Sequence, residues 1–208
     1  MKHNYNVPAH DFVCEFVEKK SRFITYLCHV TTEQEATEFI ESIRKKHADA
    51  THNCIAYRIY DPRIERFSDD GEPSGTAGMP MLEVLKKEDI YDVCCVVTRY
   101  FGGVLLGAGG LVRAYAKGAA DGISGAGKAV REMGVTFLAE FSYSFFDRIQ
   151  KLLLTVSHNV CDTAFGEAVT LTLTVKETDY ELLVSKITDI TGAGAVITEI
   201  SRDFDSFK

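Results

Sequence analysis

At 208 residues, with 46% hydrophobic and 25% charged residues, the chain has enough material for one large or two modest folded domains. Its net charge of −7 excludes a bulk basic field for nucleic acid, and no apolar run is long enough to span a bilayer. The opening "MKHNYNVPAH" lacks the apolar core of a secretory signal, so a cytoplasmic protein is expected.

Two alternating runs come first, "DFVCEFVEKK" and "SRFITYLCHV", joined at Lys19-Lys20-Ser21; they predict a strand pair. "TTEQEATEFIESIRKKH" then takes up a helical period. Ala36, Phe39, Ile40 and Ile43 share a face, and Thr32 with Glu35 forms a capping box. "THNCIAYRIY" (51–60) returns to strand character. It is followed by "RFSDDGEPSGTAGMP" (66–80), which is too rich in glycine, proline and carboxylate to continue a strand or helix and is expected to be a loop. A short helix is predicted in "AGMPMLEVLKKED", entered near Pro80. "DVCCVVTRY" (92–100) is a continuous apolar run, the pattern of a strand buried on both sides. Glycines in "FGGVLLGAGG" lead into a small-residue helix from about Leu111 to Gly122, and "SGAGKAVREMG" is expected to link two domains.

Beyond that point the order is strand, helix, hairpin, helix, strand. "VTFLAEFSYS" opens it, and Ile149, Leu152, Leu153 and Val156 stripe the first helix. The hairpin turns at Gly166-Glu167 with Val169, Leu171, Leu173 and Val175 inward. Thr178 with Glu181 caps the second helix, and Gly192 ends it. This βαββαβ order is the ferredoxin-like plan. The expected domains are 1–130 and 135–208, in an α+β chain. Charge divides unevenly: 17 Lys/Arg against 19 Asp/Glu up to Met133, then 6 against 11. A basic face is therefore possible only in the first part.

Four features carry potential chemistry. The glycine loop, with Gly102, Gly103, Gly107, Gly109 and Gly110, sits between a strand and a helix, where backbone N–H groups can meet an anion. Its spacing fails both nucleotide fingerprints: Ala108 stands where a Walker lysine is required, and the third glycine of a dinucleotide motif is missing. A tight turn for close packing is the competing explanation. The acidic loop offers Asp69, Asp70 and Glu72 for acid–base work or a hard cation, with His52 and Asn53 on the preceding strand; its spacing matches no EF-hand, and a solvated loop shaped by Asp caps, Pro73 and Gly75 is the favoured explanation. Cys54 lies beside His52 and Asn53, yet its apolar surroundings favour an inert thiol, and no nucleophile elbow exists. The six cysteines (Cys14, Cys28, Cys54, Cys94, Cys95, Cys161) show no metal-ligand spacing, so neither metal nor cofactor is expected. Arg58, Arg99, Tyr100, Arg113 and Tyr115 suit phosphate contact, base stacking or a protein hot spot, or else ion pairs with the acidic loop.

"KKSRFITYL", "THNCIAYRI", "RFSDDGEPSGTAGMPMLEVL" and "VVTRYFGGVLLGAGGLVRAY" closely resemble the signature of the YigZ/IMPACT family, over roughly Lys19 to Ile123. The resemblance implies a βαβ-type first domain, similar to the second domain of a small-subunit ribosomal protein and to elongation factor G domain IV. It implies a ferredoxin-like second domain similar to the next domain of that factor. Both modules contact RNA or the ribosome in those relatives, so the implied partner is RNA, the ribosome or a translation factor, in regulation of translation. Neither a membrane nor a specific DNA sequence is an expected partner. Eukaryotic members engage a kinase pathway through an N-terminal RWD domain; this chain begins at the IMPACT domain, and that partner is not expected. The family signature implies no catalytic residue. The expected arrangement has Asp69, Asp70 and Glu72 orienting Arg99 and Arg113 on one face, with donors left over for a phosphate or an acidic surface. A non-enzymatic binding protein is the leading expectation. The alternatives are an enzyme acting on a phosphorylated small molecule, in the manner of the GHMP kinases that share the βαβ design, and a pure protein-interaction adaptor.

Overall fold

A computed structural model describes residues 4–205 and Phe207. It falls into two compact units, one of Tyr5–Ala129 and one made mainly of Val130–Lys208. The chain runs through β1 (Tyr5–Pro8), β2 (Phe12–Glu18), β3 (Ser21–His29), α1 (Glu33–Lys46), β4 (His52–Ile59), β5 (Ile64–Ser68), α2 (Gly78–Lys87), β6 (Val93–Tyr100) and α3 (Ala108–Ala126). Next come β7 (Lys128–Phe141), α4 (Phe146–Leu153), β8 (His158–Phe165), β9 (Val169–Lys176), α5 (Glu177–Thr191) and β10 (Val196–Asp205). Among the described residues, no helix is long and apolar enough to cross a membrane.

In the first unit the sheet order is β2-β3-β6-β4-β5, every pair antiparallel. Because β3 and β4 both run against β6, they are parallel to each other, and α1 is the crossover of a split βαβ unit. Ala36, Ile40 and Ile43 of α1 cover one side of the sheet through Ile24, Tyr26, Ile55, Tyr57 and Val96. Helices α2 and α3 cover the other through Phe23, Leu27, Cys54, Ala56, Cys95 and Val97. The central strand β6 is thus apolar at consecutive positions because each side meets a helix layer.

Local signals explain the boundaries. Lys19 and Lys20, with φ of 45° and 66°, form the two-residue turn that matches strand twist in a β2–β3 hairpin. Thr32 caps α1 by accepting from the Glu35 amide, while the Glu35 carboxylate takes the Thr31 amide.

Three expectations need correction. The stretch "SGAGKAVREMG" is no linker: it is the last turn of α3, its cap Gly127, and the start of β7. Gly125 is a packing residue, since a Cβ there would lie 1.9 Å from the Phe12 ring. The loop is also shorter than 66–80, because Arg66–Ser68 pair with β4 in a hairpin strand and Gly78–Pro80 open α2. Finally, α5 starts at Glu177 and has no side-chain cap; the Thr178 hydroxyl reaches Asp179, 3.4 Å away, instead of a backbone amide.

The second unit has strand order β10-β7-β9-β8, all antiparallel, which is the ferredoxin-like arrangement. Val169, Leu171, Leu173 and Val175 alternate inward on β9 and meet Ile149 and Leu153 of α4 and Leu183 and Ile187 of α5.

Candidate functional site: the braced acidic loop

The loop from Asp69 to Ala77 lies against one end of β4 and β6, and its three carboxylates do three separate structural jobs. Asp69 serves helix α2. The helix N-cap, Ala77, has no side chain able to accept a hydrogen bond. Asp69 Oδ1 accepts the amides of Ala77 (3.0 Å) and Gly78 (2.8 Å), and Oδ2 accepts that of Gly75 (2.8 Å). A carboxylate eight residues upstream thereby satisfies donors a local cap would take, at the helix end where negative charge is favoured.

Asp70 ties the loop to the sheet. Its Oδ2 accepts the Asn53 amide at 2.7 Å, and its Oδ1 accepts from Arg44 of α1 at 3.1 Å. Its carbonyl oxygen lies 2.8 Å from His52 Nδ1. A carbonyl can only accept, so this contact requires a proton on Nδ1.

Glu72 goes inward, its side chain only 3% exposed. Oε1 accepts from Arg99 Nη1 and from the Tyr115 hydroxyl, both at 2.7 Å, while Oε2 stands 3.8 Å from His52 Nε2. Arg99, equally buried, also donates from Nη2 to Ser21 Oγ, which in turn accepts the Gly102 amide. The loop, β3, β6 and the glycine turn are thus joined through one ion pair and one hydroxyl. Burial, with Cys54 and Glu72 adding to it, pushes the Tyr115 hydroxyl well above the ordinary tyrosine range. Burial also pushes the Cys54 thiol up to about 12, and its Sγ donates to the Asp69 carbonyl at 3.0 Å. Such a thiol is no nucleophile.

The other expected members distribute differently. Asn53 accepts from the Thr98 hydroxyl at 2.7 Å inside the sheet. Tyr100, next to Arg99 on β6, points to the opposite side, toward α1. There its hydroxyl donates to Asp49 and meets His47 Nδ1 at 2.9 Å, with the Tyr26 hydroxyl 2.6 Å from His47 Nε2. Arg58 does not belong to the cluster. It shares a strand face with His52 but lies six residues along β4, roughly 20 Å away. It is buried against the Leu85 and Ile90 carbonyls, Glu65 and the Tyr91 ring.

Of the expected pairing of Asp69, Asp70 and Glu72 with Arg99 and Arg113, the structure shows only Glu72 with Arg99: Asp69 and Asp70 contact neither arginine, and Arg113 meets none of the three. Arg113 is exposed one turn into α3 and makes no hydrogen bond or ion pair among the described residues. The five glycines form the entrance to α3. Gly102 packs where a Cβ would lie 2.0 Å from the Lys20 backbone, and Gly103 and Gly107 take φ of 79° and 75°. Gly107 is the N-cap, and Gly109 and Gly110 follow in the first turn. Exposed beside them are Phe101 (47%), Val104 and Leu105 (81%). Sequence reasoning missed Ser21, which links Arg99 to Gly102, and missed Lys19 and Lys20 as surface cations. The "KKS" turn was their only signal, because nothing local says that the hairpin abuts the glycine loop.

A family model described as the Impact N-terminal domain matches residues 19–123, and one described as a domain of unknown function (DUF1949) matches 140–193. Among curated relatives, the IMPACT family member YvyE of Bacillus subtilis is 42% identical over 96% of this chain and 92% of its own length. The IMPACT family member YigZ of Escherichia coli is 50% identical over 48% of this chain and 50% of its own. Protein IMPACT of Bos taurus is 34% identical over 49% of this chain and 33% of its own. A solved structure described as that of a hypothetical protein covers 97% of this chain and 99% of its own, at 31% identity and a TM-score of 0.64.

Proposed function

The chain belongs to the IMPACT family, and on that premise we propose that it is a non-enzymatic binding protein of the translation apparatus, docking on the ribosome. The surface it uses is the end of the first unit formed by the β2–β3 turn, the glycine loop and the start of α3. The likeness of its domain types to modules that contact RNA or the ribosome supports the setting. The observation that carries the reading is the use made of the acidic loop: Asp69, Asp70 and Glu72 are each engaged by the fold itself, so none stands free as a general base. What the brace presents to solvent is a fixed apolar tip, Phe101, Val104 and Leu105, beside the exposed cations Lys19, Lys20 and Arg113. Aromatic and aliphatic contacts ringed by cations suit a polyanionic surface.

The test is co-sedimentation with ribosomes from the same cells, for the native chain and a Lys20→Glu/Arg113→Glu variant. Both positions are exposed, so the variant is expected to fold; Arg99, being buried and paired, is no fair probe. Native protein should travel with ribosomal particles and the variant should stay in the supernatant. Native protein left in the supernatant counts against the reading.

A further inference from the structure

A cavity of about 130 Å³ opens within the first unit between the β2–β3 turn and α3, walled by Phe16, Glu18, Lys19, Leu106, Arg113 and Lys117. Three cations from two elements converge on it. The side chains of Lys19 and Arg113 have no hydrogen-bond or ion-pair partner among the described residues. Lys117 is fixed by Asp121 one turn on and lies over the Phe16 ring at 4.8 Å. One wall is of the opposite sign: Glu18, exposed and likewise without a partner.

That single carboxylate narrows the ligand. A bare dianion held by Lys19 and Arg113 would be repelled by Glu18, and an acidic side chain of a protein brings no donor for it. A singly charged phosphodiester with a hydroxyl beside it meets both needs, the phosphate oxygens taking N–H donors and the hydroxyl donating to Glu18. Resting on the reading of this end of the unit as a binding surface, we infer that the cavity seats a ribose phosphate, with Arg113 and Lys19 on the phosphate and Glu18 on the 2′-hydroxyl. The site therefore distinguishes ribose from deoxyribose.

The experiment is fluorescence anisotropy with a labelled hexaribonucleotide, its deoxyribo counterpart and, as competitor, 3′,5′-cyclic AMP, a singly charged phosphodiester with a free 2′-hydroxyl. It uses the full chain and the Arg113→Ala and Glu18→Ala variants, with thermal melts confirming that both fold. The native chain should prefer the ribo strand by about tenfold, as expected for one hydrogen bond to a charged acceptor. Arg113→Ala should weaken both strands about equally. Glu18→Ala should abolish the preference while leaving deoxy binding unchanged or tighter, because a repulsion is removed. Cyclic AMP competing at concentrations comparable to the oligomer would support the site and identify a free nucleotide as its source; weak competition by it points to a strand. Equal ribo and deoxy affinities in the native chain, or a preference that survives Glu18→Ala, would overturn the inference. Since ribosome co-sedimentation is scored separately, a chain that sediments yet shows no ribose preference fails here alone.

Discussion

Glu72 holds one carboxylate oxygen between the Arg99 guanidinium and the Tyr115 hydroxyl, away from water. Removing one partner of a buried pair leaves the other charged and unsatisfied, which costs far more than the pair is worth against an apolar replacement. Glu72→Ala should therefore destabilise the protein by about 3–5 kcal/mol in urea unfolding, and Glu72→Leu with Arg99→Met should recover much of that loss. A single-variant loss below about 1 kcal/mol would mean the pair is solvated. His47 supplies a pH dependence on the other side of the sheet. Burial, reinforced by Lys46 and Arg22 and opposed by Asp49, lowers its folded pKa below the ordinary 6.5. The unfolded chain then takes up the proton first as pH falls, so this contribution is fully present above pH 6.5 and is lost as pH drops through the folded pKa. His47→Gln should flatten the stability profile just below pH 6.5, measured as urea midpoint against pH. An unchanged slope would contradict the assignment.

At the scale of elements, the acidic loop is a device for starting α2 and for tying it to the sheet. Asp69→Ala removes the acceptor of three hydrogen bonds at the helix entrance and should cost about 1–2 kcal/mol. Amide exchange should accelerate first at Gly75, Ala77 and Gly78, and uniform acceleration across the unit would argue against a local role. Gly102→Ala should cost about 2 kcal/mol or more, because the new methyl meets the Lys20 backbone instead of a movable side chain; an unaltered melting temperature would show that the hairpin yields. These two positions also mark what was legible beforehand. Periods and caps are local, so α1, the buried β6 and the alternation of β9 could be read from the residues directly. Asp69 acts on amides up to nine residues on, and Gly102 on a hairpin some eighty residues before it, and no local rule reports such distances. Arg58 misled for another reason: it joined the group by residue type, and type says nothing of which end of a strand a side chain occupies. Gly125 reads as part of a linker, yet together with Gly118 and Gly122 it brings α3 close to Thr25, Leu27 and Phe12.

Over the whole molecule, a net charge of −7 coexists with a small cationic end on the first unit, where Lys19, Lys20, Arg113 and Lys117 gather around an apolar tip. Family membership and the ferredoxin-like second unit were readable from long motifs and element order. The cationic end was not, since its members come from a turn and a helix more than ninety residues apart. If this end meets ribosomal RNA, binding must release counterions in proportion to the phosphates it neutralises. The most direct measurement is the affinity of the native chain and of Lys20→Glu/Arg113→Glu for purified ribosomes across a salt series. The native chain should bind with an affinity that falls steeply as a power of salt, and the variant should bind more weakly with a slope shallower by about 1 to 2. Salt-independent binding, or identical slopes and affinities for the two proteins, would contradict the account.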